Sequence, residues 1–100
     1  MDRLWAMQVF VRVVECGSFS RAAEALDIAN ATVTSSVRKL EDYLGVTLLS
    51  RNTRSLRLTD DGEGYFEQCN QVLQLVADME ARVRQKKGEI SGQLCIESPA

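Results

Sequence analysis

The feature that most constrains the fold of this chain is the order of its segments between residues 17 and 62. Two short helical patterns separated by a tight turn are followed by two short β-type runs and then by the start of a long helical pattern. Each change of pattern coincides with residues that end or begin an element, which indicates separate elements rather than one continuous helix.

Glycine and polar residues mark the helix ends. Gly17 is suited to end the first helix, because a left-handed cap favours a residue with no side chain. Ser18 or Ser20 is suited to cap the second helix through its hydroxyl oxygen. After a turn at residues 27–29, Asn30 either caps the third helix or lies just inside it.

Apolar residues recur every three or four positions in the first and third helices, the spacing of a helix that buries one face. The predicted stripe of the first helix is Leu4, Met7, Phe10 or Val11, and Val14. The predicted stripe of the third helix is Val33, Val37, Leu40 and Leu44, after which Gly45 ends the helix.

A β-hairpin and a long helix follow. Residues 48–51 and 56–58 are β-type runs around the polar turn 52–55. Thr59 is placed to cap a helix that ends in cations and Gly88. The fold predicted is therefore mainly α: a winged helix-turn-helix of three helices plus a β-hairpin wing, followed by a long linker or dimerisation helix.

Three regions are predicted from these boundaries. Residues 1–58 form the winged helix-turn-helix and residues 59–88 the linker or dimerisation helix. Residues 89–100 form a hinge and the start of a further, missing domain, because residues 93–99 resemble a strand with nothing to pair with.

Composition excludes several classes of protein. The chain has no histidine, and Cys16, Cys69 and Cys95 lack metal-ligand spacing, so we expect no enzyme, no metal and no cofactor. The three cysteines are interpreted as small apolar side chains. No run is long and apolar enough for a membrane span, residues 1–20 do not form a secretory signal, and we expect a cytoplasmic protein.

The charge is unevenly distributed. The net charge is -2, but residues 1–58 carry eight Lys and Arg against six Asp and Glu, and residues 59–100 carry four against eight. The basic part coincides with the predicted helix-turn-helix, where a polyanion such as DNA would bind.

The third helix suits a DNA major groove, because small polar residues near its start let its backbone approach the base edges. Asn30 offers a donor and an acceptor to adenine, and Arg38 and Lys39 are placed to hold phosphates. Arg54, at the hairpin tip, suits a narrow minor groove. The predicted DNA-binding residues are Ser20, Asn30, Ala31, Thr32, Thr34, Ser35, Arg38, Lys39, Arg51, Arg54 and Arg57.

The long helix carries an apolar stripe at heptad spacing. The predicted dimerisation residues are Tyr65, Cys69, Val72, Val76, Met79 and Val83. The same spacing is typical of a helix that packs on its own domain, and both interpretations stay open.

The chain resembles the N-terminal DNA-binding domain of LysR-type transcriptional regulators, from residue 1 to about residue 87. MDRLWAMQVFVRVVECGSFSRAAEAL is similar to the first two helices of that family. VRKLEDYLGVTLLSRNTRSLRLTDDG is similar to the end of its recognition helix, its wing and the entry to its linker helix. GQLCIESPA resembles the first strand of the effector-binding domain that would follow.

The resemblance implies a homodimer joined by antiparallel linker helices, with tetramers in full-length members. It implies binding to partly palindromic promoter sites in double-stranded DNA, association with the bacterial nucleoid, and a response to a small effector through the missing C-terminal domain. Where the family commonly has Ser-Gln-Pro and Ser-Arg, this chain has Ala29-Asn30-Ala31 and Thr34-Ser35, whereas Arg54 matches the wing arginine of the family.

Two alternatives to this function remain. The pI of about 5.1 and the heptad stripe are compatible with a helical dimerisation or protein-interaction module that has no DNA role. A winged-helix regulator of another family would bind DNA without a sensor domain after residue 100.

Overall fold

The computed structural model describes residues 2–51 and 56–93, with side chains for residues 2–50 and 56–85. The elements are α1 (Arg3–Cys16), α2 (Phe19–Leu26), α3 (Asn30–Leu44), β1 (Leu49–Arg51), β2 (Leu56–Leu58) and α4 (Asp60–Gln93). The predicted winged helix-turn-helix with a long following helix is confirmed.

Most of the predicted end residues of the first three helices are found at helix ends, and the start of α3 is the exception. Gly17 ends α1 with a φ of 72°, which suits a residue without a side chain. Ser18, rather than Ser20, caps α2, and its hydroxyl oxygen accepts a hydrogen bond from the Arg21 N–H at 3.3 Å. Ala29 precedes α3 and makes no side-chain cap, so Asn30 lies just inside the helix.

The core lies where α1, α2 and α3 pack together. The fully buried large side chains are Phe10, Leu40, Leu48, Val9, Val13, Val33, Val37 and Cys69. The α3 stripe is confirmed at its first three positions, and Leu44 is half-buried.

The stripe predicted for α1 is confirmed at Phe10 and Val11 but not at Leu4, because the buried side of the helix is rotated from the predicted one. The buried residues are Ala6, Val9, Phe10, Val11 and Val13. Of the predicted positions, Leu4 is exposed and Met7 and Val14 are half-buried. Because apolar residues surround most of α1, several faces satisfy the helical spacing, and packing against α2 and α3 selects one of them.

The two strands form an antiparallel pair in which Leu49 lies opposite Leu58. The predicted first strand is one residue too long, since Leu48 precedes β1. Thr59 leads into α4 as predicted, and its hydroxyl oxygen accepts a hydrogen bond from the Gly62 N–H at 3.0 Å. The predicted turn at residues 52–55 lies outside the described residues.

Helix α4 is longer than predicted. It continues through Gly88 to Gln93, so the expected stop at Gly88 is wrong. A single glycine costs a helix only about 1 kcal/mol and does not end it without a further signal such as a proline. The strand predicted for residues 93–99 falls beyond the described residues, apart from Gln93.

The chain divides into two compact units, residues 1–70 and residues 71–100. The first unit contains the three short helices, the β1–β2 pair and the first turns of α4, and the second contains the rest of α4. None of the helices in the described part of the chain is long and apolar enough to cross a membrane.

Aromatic packing holds the first turns of α4 within the first unit. The ring of Phe10 lies 5.7 Å from that of Tyr65 and 6.3 Å from that of Phe66, measured between centroids. Cys69, one turn further along α4, is fully buried. Burial raises the pKa of the Tyr65 phenol to about 12 and that of the Cys69 thiol to about 11. Cys69 is therefore a neutral thiol at physiological pH.

Candidate DNA interface

An open groove runs along the exposed side of α3, from its first residue to its last turns. We call this surface the α3 groove. Its lining residues are Asn30, Ala31, Thr34, Ser35, Arg38, Lys39 and Asp42. Six of these seven residues were predicted to bind DNA, and the helical spacing of the sequence places them on one side.

The start of α3 is organised by two hydrogen bonds. The Asn30 side-chain amide donates to the Ser20 hydroxyl oxygen at 3.4 Å, which joins α2 to α3. The Thr34 hydroxyl donates to the Asn30 carbonyl oxygen at 3.2 Å. The Asn30 amide oxygen is therefore left to accept a bond from a ligand, and the Thr34 hydroxyl hydrogen is used within the helix. Thr32 is exposed but lies outside the groove lining.

Two cations lie further along the α3 groove. Arg38 and Lys39 are exposed. The ion pairs among residues 2–50 and 56–85 are Arg12–Glu15 and Arg84–Glu80, so neither groove cation is neutralised by a carboxylate of those residues. Both charges are available to an anionic ligand such as a phosphate.

The β1–β2 pair carries the remaining predicted arginines. Arg57 is exposed on β2 and lies opposite Ser50 of β1. Arg51 ends β1, and its side chain is not among those described. Arg54 lies outside the described residues.

Glu41 is a site residue that the sequence interpretation missed. Its carboxylate oxygen Oε2 accepts hydrogen bonds from the backbone N–H groups of Leu48 at 2.8 Å and Leu49 at 3.1 Å. These bonds connect the end of α3 to the start of β1. The only signal in the sequence is an acidic residue directly after Leu40 of the buried stripe, which is too common to identify such a role.

Part of the predicted dimerisation stripe is engaged within the chain. Cys69 is fully buried, and Tyr65 is half-buried and packs against Phe10, so both side chains contribute to packing within the chain. In the second unit, the exposed large apolar residues are Val72, Leu75, Met79 and Val83. Val76 is half-buried. Leu75, which the heptad spacing did not include, has 61% of its surface exposed.

Apart from the carboxylate of Asp42, the groups on the α3 groove are amide, hydroxyl, methyl and cationic. This is the set that proteins use to contact base edges and phosphates. Among the described residues, no cluster of three or more His, Cys, Asp or Glu side chains is arranged to hold a metal ion.

The chain is similar to known bacterial regulators. Residues 4–63 match the family model described as bacterial regulatory helix-turn-helix protein, lysR family. An HTH-type transcriptional repressor of Pseudomonas aeruginosa (strain UCBPP-PA14) is 47% identical over 98 residues, which cover 98% of this chain and 31% of the relative. The chain thus spans about a third of the length of that curated relative.

Two solved structures have the same fold. The DNA-binding domain of BenM, crystallised with catB site 1 DNA, superposes with a TM-score of 0.82 at 31% identity, covering 87% of this chain and 97% of that chain. The DNA-binding domain of CbnR, crystallised with DNA, gives a TM-score of 0.78 at 30% identity, covering 87% of this chain and 99% of that chain.

Proposed function

Because the chain belongs to the lysR family of bacterial helix-turn-helix regulators, we propose that it binds double-stranded DNA sequence-specifically, as the DNA-binding part of a dimeric transcriptional regulator. The observation that carries this proposal is the α3 groove, on which amide, methyl and unpaired cationic groups lie side by side. The two solved neighbours, which were crystallised with DNA, support it.

The first turns of α3 enter the major groove and contact base edges. Asn30 presents its amide oxygen to the N6 amino group of adenine, while one of its two amide hydrogens donates to Ser20. The methyl groups of Ala31 and Thr34 contact thymine methyls. Ser35 is too short for the two bonds that an arginine makes to guanine. The preferred half-site is therefore rich in A·T pairs.

The cations hold the DNA backbone. Arg38 and Lys39 bind phosphates from α3, and Arg51 and Arg57 bind them from the strands of the wing. Arg54 inserts into the adjoining minor groove, where the negative potential is greatest. The polar residues Ser20 and Thr32 flank the contact. These roles follow from residue type and from exposure where the side chain is described.

Dimerisation uses the exposed apolar side of α4. We assign it to Val72, Val76, Met79 and Val83, as the heptad spacing predicts, and add Leu75 because of its exposure. Tyr65 and Cys69 act instead by supporting the first turns of this helix. A dimer of this kind matches a partly palindromic promoter site. In the full-length protein, which we place on the nucleoid in the cytoplasm, two dimers form a tetramer and a C-terminal domain senses a small effector.

A dimerisation module with no DNA role was the principal alternative. The family match and the neighbours crystallised with DNA give it no support. A regulator of another winged-helix family is excluded by the family match.

The test begins with selection of duplexes from a randomised library, followed by fluorescence anisotropy on the selected site and a scrambled control. We expect tighter binding to the selected site, with affinity that falls steeply as salt rises because phosphate contacts release counterions. The Arg38→Ala variant is expected to weaken binding to both duplexes and to lower the slope of log affinity against log salt by about 1.

Arg12→Ala is the matched control. It removes the same charge from an exposed position on α1, where Arg12 pairs with Glu15 at 3.5 Å, and is expected to leave the affinity unchanged. Equal, weak binding of the wild-type chain to both duplexes would contradict sequence-specific recognition. An unchanged salt slope in Arg38→Ala would contradict the assignment of α3 as the DNA-contacting helix.

A further inference from the structure

Glu41 binds four backbone N–H groups in the connection between α3 and β1. Its backbone carbonyl oxygen accepts from Gly45 at 2.8 Å and from Val46 at 3.2 Å, which closes the end of the helix. Its carboxylate oxygen Oε2 accepts from Leu48 at 2.8 Å and from Leu49 at 3.1 Å. One residue therefore sets the path of the chain from the helix to the strand.

The two hydrogen bonds that the Glu41 carboxylate accepts are of the strong, charge-assisted kind. Hydrogen bonds to an ionised acceptor are shorter and about twice as strong as neutral ones. They hold the N–H groups of Leu48 and Leu49, whose side chains are 0% and 4% exposed. In a variant without the carboxylate, the N–H groups of Leu48 and Leu49 lose their acceptor. Because unpaired, part-buried donors cost free energy, we expect β1 to move so that these groups find another partner.

The carbonyl groups of the same segment are also held by hydrogen bonds. The Leu48 carbonyl oxygen accepts from the Thr59 N–H at 3.0 Å, and the Thr59 hydroxyl donates to the neighbouring Thr47 carbonyl oxygen at 2.5 Å. The β1–β2 pair is thus attached to α3 through Glu41 and to the start of α4 through Thr59. Of these two attachments, only the Glu41 attachment connects the strand pair to the helix that lines the α3 groove.

We propose that Glu41 is a positioning residue for DNA recognition, which fixes the β1–β2 pair relative to the α3 groove so that both contact one duplex together. This inference rests on the proposed function. A second contact held in place adds affinity at little entropic cost, whereas a mobile one contributes less. Glu41 therefore supports the part of the DNA affinity that the strand pair contributes, and it affects the part that α3 contributes only weakly.

The test compares a selected duplex with a shorter one trimmed at the flank that the strand pair contacts. The ratio of the two affinities is the gain due to the flank. In Glu41→Ala this ratio is expected to fall toward unity, while the short duplex still binds. Glu41→Gln keeps a carbonyl oxygen that accepts both N–H groups, so the ratio is expected to recover.

The glutamine variant separates positioning from charge, since it removes the negative charge as completely as alanine does. Glu67→Ala is the matched control: it removes an exposed carboxylate of α4 that lies outside the α3 groove lining, so the ratio is expected to match the wild type. Glu41→Asp keeps the charge but shortens the side chain, which draws the carboxylate away from the N–H groups of Leu48 and Leu49. This variant takes the place of Glu41→Ala if the alanine variant does not fold.

Backbone amide exchange supplies a readout without DNA. Faster exchange at Leu48 and Leu49 is expected in Glu41→Ala and not in Glu67→Ala. If folded Glu41→Ala and Glu41→Asp keep the wild-type ratio of the two affinities, this inference alone is overturned. The same holds if the wild-type chain binds the full and the trimmed duplex equally. No DNA binding by the wild-type chain would overturn the proposed function as well.

Discussion

Tyr65 and Cys69 are neighbouring side chains on the inner side of α4, one helical turn apart. Burial is the main cause of the raised pKa of each. In the folded chain both groups are held in their neutral, protonated form. In the unfolded chain they ionise at lower pH, near the ordinary values of 10.0 and 9.0. The folded state is therefore favoured below those values and loses that advantage as pH rises.

We predict that alkaline pH destabilises the chain through these two groups. Stability is fully present below about pH 9 and falls as pH rises toward the folded pKa values of about 11 and about 12. Tyr65→Phe retains the ring against Phe10 and removes the phenol, so its free energy of unfolding should fall less steeply above about pH 10. Urea unfolding across this range measures the difference.

Tyr43→Phe is the control for this prediction. Tyr43 is 57% exposed, and its ring lies 4.9 Å beneath the Arg3 guanidinium. Because Tyr43 is the smallest of the causes that raise the pKa of Tyr65, its removal should change the pH profile much less than Tyr65→Phe does. Superimposable profiles for Tyr65→Phe and the wild type would show that the buried phenol does not govern the alkaline loss.

At the scale of elements, the approach of α4 to the segment before β1 depends on Gly62. A Cβ atom at this position would overlap the Leu48 carbonyl oxygen and lie 2.9 Å from the carbonyl carbon. Both atoms belong to the backbone, so no side chain can turn aside to make room. Gly62→Ala should lower the free energy of unfolding by about 1 to 3 kcal/mol.

Gly64→Ala is the matched control on the same helix turn. A Cβ at Gly64 meets nothing within 4 Å, and alanine favours a helix over glycine by up to about 1 kcal/mol. The two substitutions should therefore change stability in opposite directions in chemical denaturation. Equal stabilisation by both would show that α4 does not pack this closely on Leu48.

At the scale of the whole molecule, the exposed apolar side of α4 requires a partner in the proposed dimer. Val83 has 67% of its surface exposed in the single chain. Val83→Asp would place a charge in the dimer interface, where an unpaired charge costs several kcal/mol. Sedimentation equilibrium should show a dimer weakened on the order of tenfold or more.

Ala81→Asp introduces the same charge on the opposite side of α4, because two residues correspond to about 200° of rotation. Ala81 is exposed, and this variant should sediment as the wild type does. A dimer that persists in Val83→Asp, or that fails equally in Ala81→Asp, would place the interface elsewhere.

The elements and their order follow from local features of the sequence. Gly17, Ser18 and Gly45 act on the few residues beside them, so their effect is readable without knowledge of the fold. The stripe of Val33, Val37 and Leu40 is similarly local, since it reflects the helical repeat alone. These signals suffice to predict the winged helix-turn-helix and to place the candidate DNA-binding residues on one side of α3.

Tertiary structure decided the questions that depend on contacts between distant residues. The buried side of α1 is set by its neighbours, because apolar residues on most of its surface leave the helical spacing ambiguous. Cys69 is assigned to the core rather than to a dimer seam by its complete burial within the single chain, although its spacing fits both. The role of Glu41 arises from folding that brings N–H groups seven and eight residues away to its carboxylate. No periodicity records such a contact, because it joins a helix to a strand and repeats nowhere along the chain.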